Sequence, residues 1–217
     1  VLAWGKEETQ APDSNFKMEF TDINATEWQP WLGRFVREGR ADLNVDVISR
    51  KAGHQLDFTL ISSGDSLKVP LQDNDIDVGN FDLNSSGRLK NFNSLTLDHL
   101  NVRLGLLADP VLQVSGPFKL DITKKLASGH LVAGGKIPIL LGWNPKIKTD
   151  CESGSFDYRG TLALDFGGVA SQKLDGELTL RNFTGGNGGY SVTNLNTQLV
   201  FKASLDKGSM LNIDSLR

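Results

Sequence analysis

The residues that could do chemistry are few, and each set falls short of the spacing its chemistry needs. Asp73, Asn74, Asp75 and Asp77 open like a calcium loop. Such a loop needs a glycine at its sharp turn and a bidentate glutamate at its end. Val78 and Asn84 occupy those two places, so no calcium site is expected. His54, His99 and His130 are far apart, and none belongs to an HExxH pair that sets two imidazoles on one helix face. They read as surface or turn histidines. Gly185–Gly189 has the glycine content of a phosphate loop, but no Lys-Ser/Thr ending follows and no helix opens after it. A flexible hairpin turn is the expectation. Cys151, the only cysteine, sits between Asp150 and Glu152. Their charges disfavour a thiolate, and a single thiol builds neither a disulfide framework nor a metal set. The inventory therefore predicts a protein that is not an enzyme, with no metal and no cofactor.

The 217 residues are 39% hydrophobic and 23% charged, the balance of an ordinary globular chain rather than a disordered one. No apolar run approaches the 18 or so residues of a spanning helix. With 23 basic against 26 acidic residues the net charge is −3, which gives no basic footprint for nucleic acid or anionic lipid. The chain starts at Val1, and a last strand is expected over Met210–Leu216, so both ends read as cut from a longer protein. The length suits one large all-β unit. A lone cysteine fits the cytosol or a Gram-negative periplasm.

What dominates the chain is strict apolar/polar alternation. Ala41, Leu43, Val45 and Val47 hold one phase; Leu56, Phe58 and Leu60 hold another. Leu112, Val114, Phe118, Leu120 and Ile122 follow through a Gly-Pro interruption, and Phe156, Tyr158, Leu162, Leu164 and Phe166 keep Gly160 in register. Leu174, Leu178 and Leu180 come next, then Leu195, Leu199 and Phe201. Period two means strands with one apolar and one wet face, as in antiparallel sheets. Asp42, Asn44, Asp57, Asp165 and Arg181 then face water. The Asp/Asn-rich outer face, with Asp46, Asp82, Asn84 and Asn101, suits a solvated surface or a glycan equally. The apolar phase slips around His99, which predicts a bulge or a tight turn there. Turns are expected at Lys51-Ala52-Gly53, Ser63-Gly64-Asp65, Asn84–Gly87, Gly167-Gly168 and Gly185–Gly189. This spacing gives roughly ten to twelve strands in a meander.

Two stretches depart from the pattern. Trp28, Trp31, Leu32 and Phe35 fall at i, i+3, i+4 and i+7, which predicts one short amphipathic helix over 24–36. Its stripe packs on the sheet or plugs the end of a groove. Leu126–Asp150, with Gly134, Gly135, Pro138 and Pro145, reads as an irregular crossing that opens with an extended Ile137–Leu141. It marks a possible sub-unit boundary near 127–150.

About twelve strands at ~4.8 Å extend on the order of 55 Å, and a ten-residue helix of about 15 Å covers only a corner of that. The apolar face must therefore close on itself as a sandwich or barrel, or curl into a trough lined for an apolar ligand.

Thr21–Val47, TDINATEWQPWLGRFVREGRADLNVDV, resembles a unit of the bacterial AsmA-like proteins (the TamB and YdbH type), in which a short amphipathic segment precedes a glycine and a long alternating strand. Leu174–Phe201, LDGELTLRNFTGGNGGYSVTNLNTQLVF, resembles that family's G-x-L-x-L strand, glycine turn and returning strand. The resemblance implies a periplasmic, inner-membrane-anchored β-groove that conducts phospholipid toward the outer membrane. On that reading Leu43, Val45, Val47, Leu56, Phe58, Leu60, Val114, Phe118, Leu120, Ile122, Leu162, Leu164, Phe166, Leu178, Leu180, Leu199 and Phe201 face lipid. Trp28, Trp31 and Phe35 close one end, and the partners are an acyl-chain lipid and the rest of the parent chain. The alternative is a closed β-sandwich that binds carbohydrate or protein without catalysis.

Overall fold

The computed structural model describes residues 12–28, 30, 35–71, 74–106, 108–143, 150–167, 172–187, 189–205 and 211–216. They form one 12-stranded antiparallel sheet. Its strands are β1 (Ser14–Asn24), β2 (Glu38–Arg50), β3 (Gln55–Leu71), β4 (Asn74–Lys90), β5 (Ser94–Leu106) and β6 (Asp109–Ser115). Then come β7 (Phe118–Asp121), β8 (Leu126–Lys136), β9 (Asp150–Asp165), β10 (Gln172–Asn187), β11 (Tyr190–Leu205) and β12 (Leu211–Leu216). Apart from β6 and β7, each strand lies beside its sequence neighbour, so the order is a meander. β6 and β7 share one slot between β5 and β8, divided at Gly116-Pro117. Pro117 has no N–H to give to a ladder, which suits it to that break.

Helix is scarce among the described residues. A 3-10 turn, Lys51–Gly53, joins β2 to β3, and helix α1 (Ile137–Gly142) follows β8. This corrects the expected irregular crossing: Leu126–Lys136 is a full strand, paired with β9 from Leu126↔Asp165 to Lys136↔Ser155, and the sheet continues through it. Ile137–Leu141 is helical rather than extended, because a short apolar run has no periodicity to separate the two forms. The helix expected over 24–36 is also revised at its start. Asn24 still belongs to β1 and residues 25–28 are a turn, with the Asn24 side-chain oxygen accepting from the Thr26 N–H at 3.0 Å. Trp31 lies outside the described residues.

Two expected turns are strand interior instead. Ser63-Gly64-Asp65 lies within β3, and Asn84–Gly87 lies within β4. The bulge at His99 is present: Ser86 pairs with His99 and Gly87 with Leu97, which leaves Asp98 extra.

Register decides the faces, because directly paired residues of antiparallel strands point the same way. Val47↔Phe58↔Gly87↔Leu97↔Phe118↔Gly129↔Leu162↔Leu174↔Ala203 runs across nine strands on one side. The neighbouring rows Val45↔Leu60↔Ser85 and Val114↔Ala133↔Tyr158↔Leu178↔Leu199 share that side. Asp42, Asn44, Asp57, Asp82, Asn84 and Asn101 share the other.

Among the described residues no second layer covers the apolar side. Leu43, Val45, Phe58, Phe118, Leu164, Leu178 and Phe201 are all half-buried, none fully so. The fully buried hydrophobic residues are only Ala25, Ala52, Ile76, Val78, Ala127 and Tyr158 among those described. The chain exposes 13932 Å², against about 9,800 Å² for a compact monomer of this mass. Two sheets packed face to face would bury those aliphatics. The fold is one open layer.

Candidate functional site

The candidate site is the apolar face, and its glycines shape it. On β9 and β10, Gly160 and Gly176 face each other. A Cβ at Gly160 would overlap the carbonyl oxygen of Asp175, and one at Gly176 would overlap that of Arg159. A Cβ stands perpendicular to its sheet while the neighbour's carbonyls lie in the plane. Overlap therefore means that the adjacent strand rises toward this side. The same holds at Gly64 against Arg40, Gly87 against Thr96 and Gly129 against Pro117. Gly134, on the polar side opposite Asp157, has no backbone atom nearer than 3.4 Å to its missing Cβ. The creases bend the layer toward the apolar face, as glycine kinks do in curved sheets. Curvature in that sense is consistent with a trough.

Rings fill the room the glycines leave. Phe81 lies over Gly64, Phe118 over Gly129 with a ring carbon 2.7 Å from the missing Cβ, and Phe156 over Gly135 at 3.0 Å. Tyr158 covers Gly160 and Gly176, stands 6.2 Å from the Phe201 ring, and donates its hydroxyl to the carbonyls of Asp175 (3.1 Å) and Thr161 (3.3 Å). Burial, and then the charge of Asp175, hold its phenol above the usual tyrosine range. Small hydroxyls fill other rows. Ser62 and Ser85 are buried and donate to the carbonyls of Asp42 (2.8 Å) and His99 (3.2 Å), so both hydroxyls are satisfied.

Helix α1 closes one end. Its Leu140 comes within 2.8 Å of the missing Cβ of Gly135, next to the Phe156 ring, and Ile137 stands 3.4 Å from that of Gly154. Sequence reasoning read this helical segment as extended and placed a groove end at Trp28, Trp31 and Phe35, of which Trp31 lies outside the described residues. Trp28 and Phe35 are exposed among turn residues. A hollow of ≈ 230 Å³ between β9, β10 and β11 is lined by Leu162, Leu164, Leu174, Ala203 and Leu205.

The residues predicted to line a groove share this face, with two departures. Ile122 and Phe166 lie in turns beyond the ends of β7 and β9, both exposed. Asp165 does not face water: it is buried, and its carboxylate accepts from the Gly167 N–H at 2.7 Å.

The polar face is an ionic lattice. Lys17–Asp46 (3.1 Å), Arg50–Asp57 (2.6 Å), Arg103–Asp82 (3.4 Å), Arg181–Asp157 (3.1 Å) and Lys202–Asp175 (3.5 Å) bridge neighbouring strands. A hollow of ≈ 550 Å³ near the Gly116-Pro117 break carries Thr96, Lys119, Ser128, His130, Thr161 and Lys173.

The chemistry-bearing residues stay apart. His54 bonds Asn91 at 3.1 Å in a turn, while His99 pairs with Ser86 and His130 with Thr161 on two different ladders. Cys151 points its thiol at the Ser153 carbonyl, 3.6 Å away, and burial pushes the thiol up; its flanking carboxylates are not the cause. Asp75 pairs with Arg37 at 3.5 Å and Asp77 accepts from Gly79 at 3.1 Å. Asp73 lies outside the described residues. Among the described residues no cluster of His, Cys, Asp and Glu could hold a metal ion, and no helix is long and apolar enough to cross a membrane.

No model of a known protein family matches the chain, and neither a curated protein nor a solved structure does.

Proposed function

We propose that the apolar face holds and conducts acyl chains, as a non-enzymatic β-groove segment of an AsmA-like envelope protein. In this reading the protein works in the periplasm, anchored to the inner membrane through the rest of its parent chain, and passes phospholipid toward the outer membrane. One observation carries it: a mainly apolar face across nine strands that no second layer covers among the described residues. Soluble chains rarely leave so large an apolar area to water, and an alkyl chain is the partner whose chemistry matches a lining made mainly of Leu, Val and Phe with glycines and small hydroxyls between them.

The mechanism is passive. Each methylene that leaves water gains about 0.8 kcal/mol. Successive rows such as Val45↔Leu60 and Val47↔Phe58 offer like surfaces, so the gain is similar at each step and a chain slides without a deep trap. The open side leaves the head group in water. No proton transfer or nucleophile is needed. A second reading, a module that binds carbohydrate or protein, draws on the hollow of the polar face, where Thr96, Asp98, Ser128, Thr161 and Asp175 stand.

Native mass spectrometry of freshly purified protein tests the proposal. Co-purified phospholipid, displaced by a fatty acid but not by a soluble sugar, is the expected result. Protein that stays lipid-free after incubation with excess phospholipid would overturn it.

A further inference from the structure

The two rims of the sheet, where strands turn, differ in charge. One rim carries the turns at Lys51–Gly53, Asn91–Asn93, residues 122–125 and Phe166-Gly167. Hydrogen bonds join them into a row: Asn91 donates to the His54 carbonyl (2.8 Å), Ile122 to that of Asn93 (2.8 Å) and Phe166 to that of Lys125 (2.8 Å). Along this row Phe92 is 51% exposed, Ile122 46% and Phe166 63%. Lys51, Lys90, Lys124 and Lys125 stand exposed beside them. Of the rim's acids, Asp121 accepts from the Lys124 N–H at 2.8 Å and stands 3.7 Å from the exposed Lys124 ammonium, and Asp165 caps Gly167. The opposite rim has exposed Glu27, Asp150 and Glu152, and apolar Leu106 and Tyr190.

Phe92 is a second observation. Asn91 (φ 49) and Phe92 (φ 55) are both left-handed, the two-residue turn that favours Asn-Gly. Phenylalanine stands where glycine fits best, and its ring is half in water. A bulky residue there costs backbone strain.

We propose that this rim docks on an anionic lipid bilayer surface, with Phe92, Ile122 and Phe166 entering the interface and the four lysines meeting the head groups. Apolar tips flanked by lysines are what such a surface takes up, and the acidic rim would be repelled. The net charge of −3 hides the lysines because they are gathered by register rather than by sequence. Docking does not require that the apolar face hold acyl chains, so the two proposals fail separately.

Vesicle flotation of the full chain tests it, with phosphatidylcholine alone and with about 30% phosphatidylglycerol added. The chain should float with the anionic vesicles only. Lys124→Gln with Lys125→Gln should weaken binding about thirtyfold, at about one Lys contact per removed charge. Phe92→Gly should weaken it severalfold while melting at or above the parent temperature, because glycine suits the turn. Tyr190→Ser on the other rim should change nothing. No binding, equal binding to both vesicles, unchanged binding by the lysine and Phe92 variants, or loss in Tyr190→Ser would each overturn the proposal.

Discussion

On the apolar side of β9 and β10, Gly160 and Gly176 meet under the Tyr158 ring. One residue along, on the polar side, Asp157 holds Arg181 and Asp175 holds Lys202. The same strands thus carry a lining of rings over glycines on one face and a lattice of exposed ion pairs on the other. The lining sets the curvature, because the missing Cβ atoms let neighbouring strands rise. The ion pairs keep the outer face in water and contribute little to stability, as exposed pairs do. Stability and shape should therefore respond very differently to small changes on the two sides.

Glycine replacement gives the sharpest contrast. Gly160→Ala places a methyl group into the Asp175 carbonyl, a backbone atom that cannot move without breaking the β9–β10 ladder. A loss of about 3 kcal/mol or more is expected. Gly134→Ala on the polar side meets Asp157 Oδ1 at 3.1 Å, a side chain free to give, and should stay within about 1 kcal/mol of the parent. Urea titrations of both variants check this, and equal losses would break the comparison. Tyr158→Phe comes next. It removes two hydrogen bonds from a buried ring but keeps the ring over the glycines. About 1 kcal/mol and a melting shift of about 2–4 °C should follow. Lys202→Ala, which breaks an exposed pair with Asp175, should cost less than about 0.5 kcal/mol. The smallest effect concerns Cys151. Because burial raises its thiol, alkylation at pH 8 should be severalfold slower in the native protein than in urea, and equal rates would place the thiol in open water.

The alternation of Leu43, Val45 and Val47 with Asp42, Asn44 and Asp46 was enough to read the sheet class, the two faces and the bulge at His99. Glycine was the source of error. Ser63-Gly64-Asp65 and Asn84–Gly87 have turn composition, yet they sit mid-strand because Gly64 receives the Phe81 ring and Gly87 receives the approach of β5 at Thr96. Both partners lie across the sheet, so nothing local distinguishes these glycines from turn glycines. Gly134-Gly135 hid β8 for the same reason, and the α1 cap over Gly135 was invisible because Ile137–Leu141 is apolar throughout. The basic rim was equally hidden: Lys51, Lys90 and Lys124 are scattered in sequence, and the meander brings their turns into line.

The central claim is that the apolar face is open and takes acyl chains. Leu164→Asp tests it most directly, since Leu164 is half-buried beside the hollow between β9 and β11. The account predicts cooperative thermal unfolding within a few degrees of the parent, because water reaches the carboxylate, together with loss of bound phospholipid in native mass spectra. In a closed core the same unpaired charge costs several kcal/mol of the 5–15 kcal/mol a domain typically has. Loss of the unfolding transition would contradict the open face, and a folded variant that keeps its lipid would contradict the acyl site.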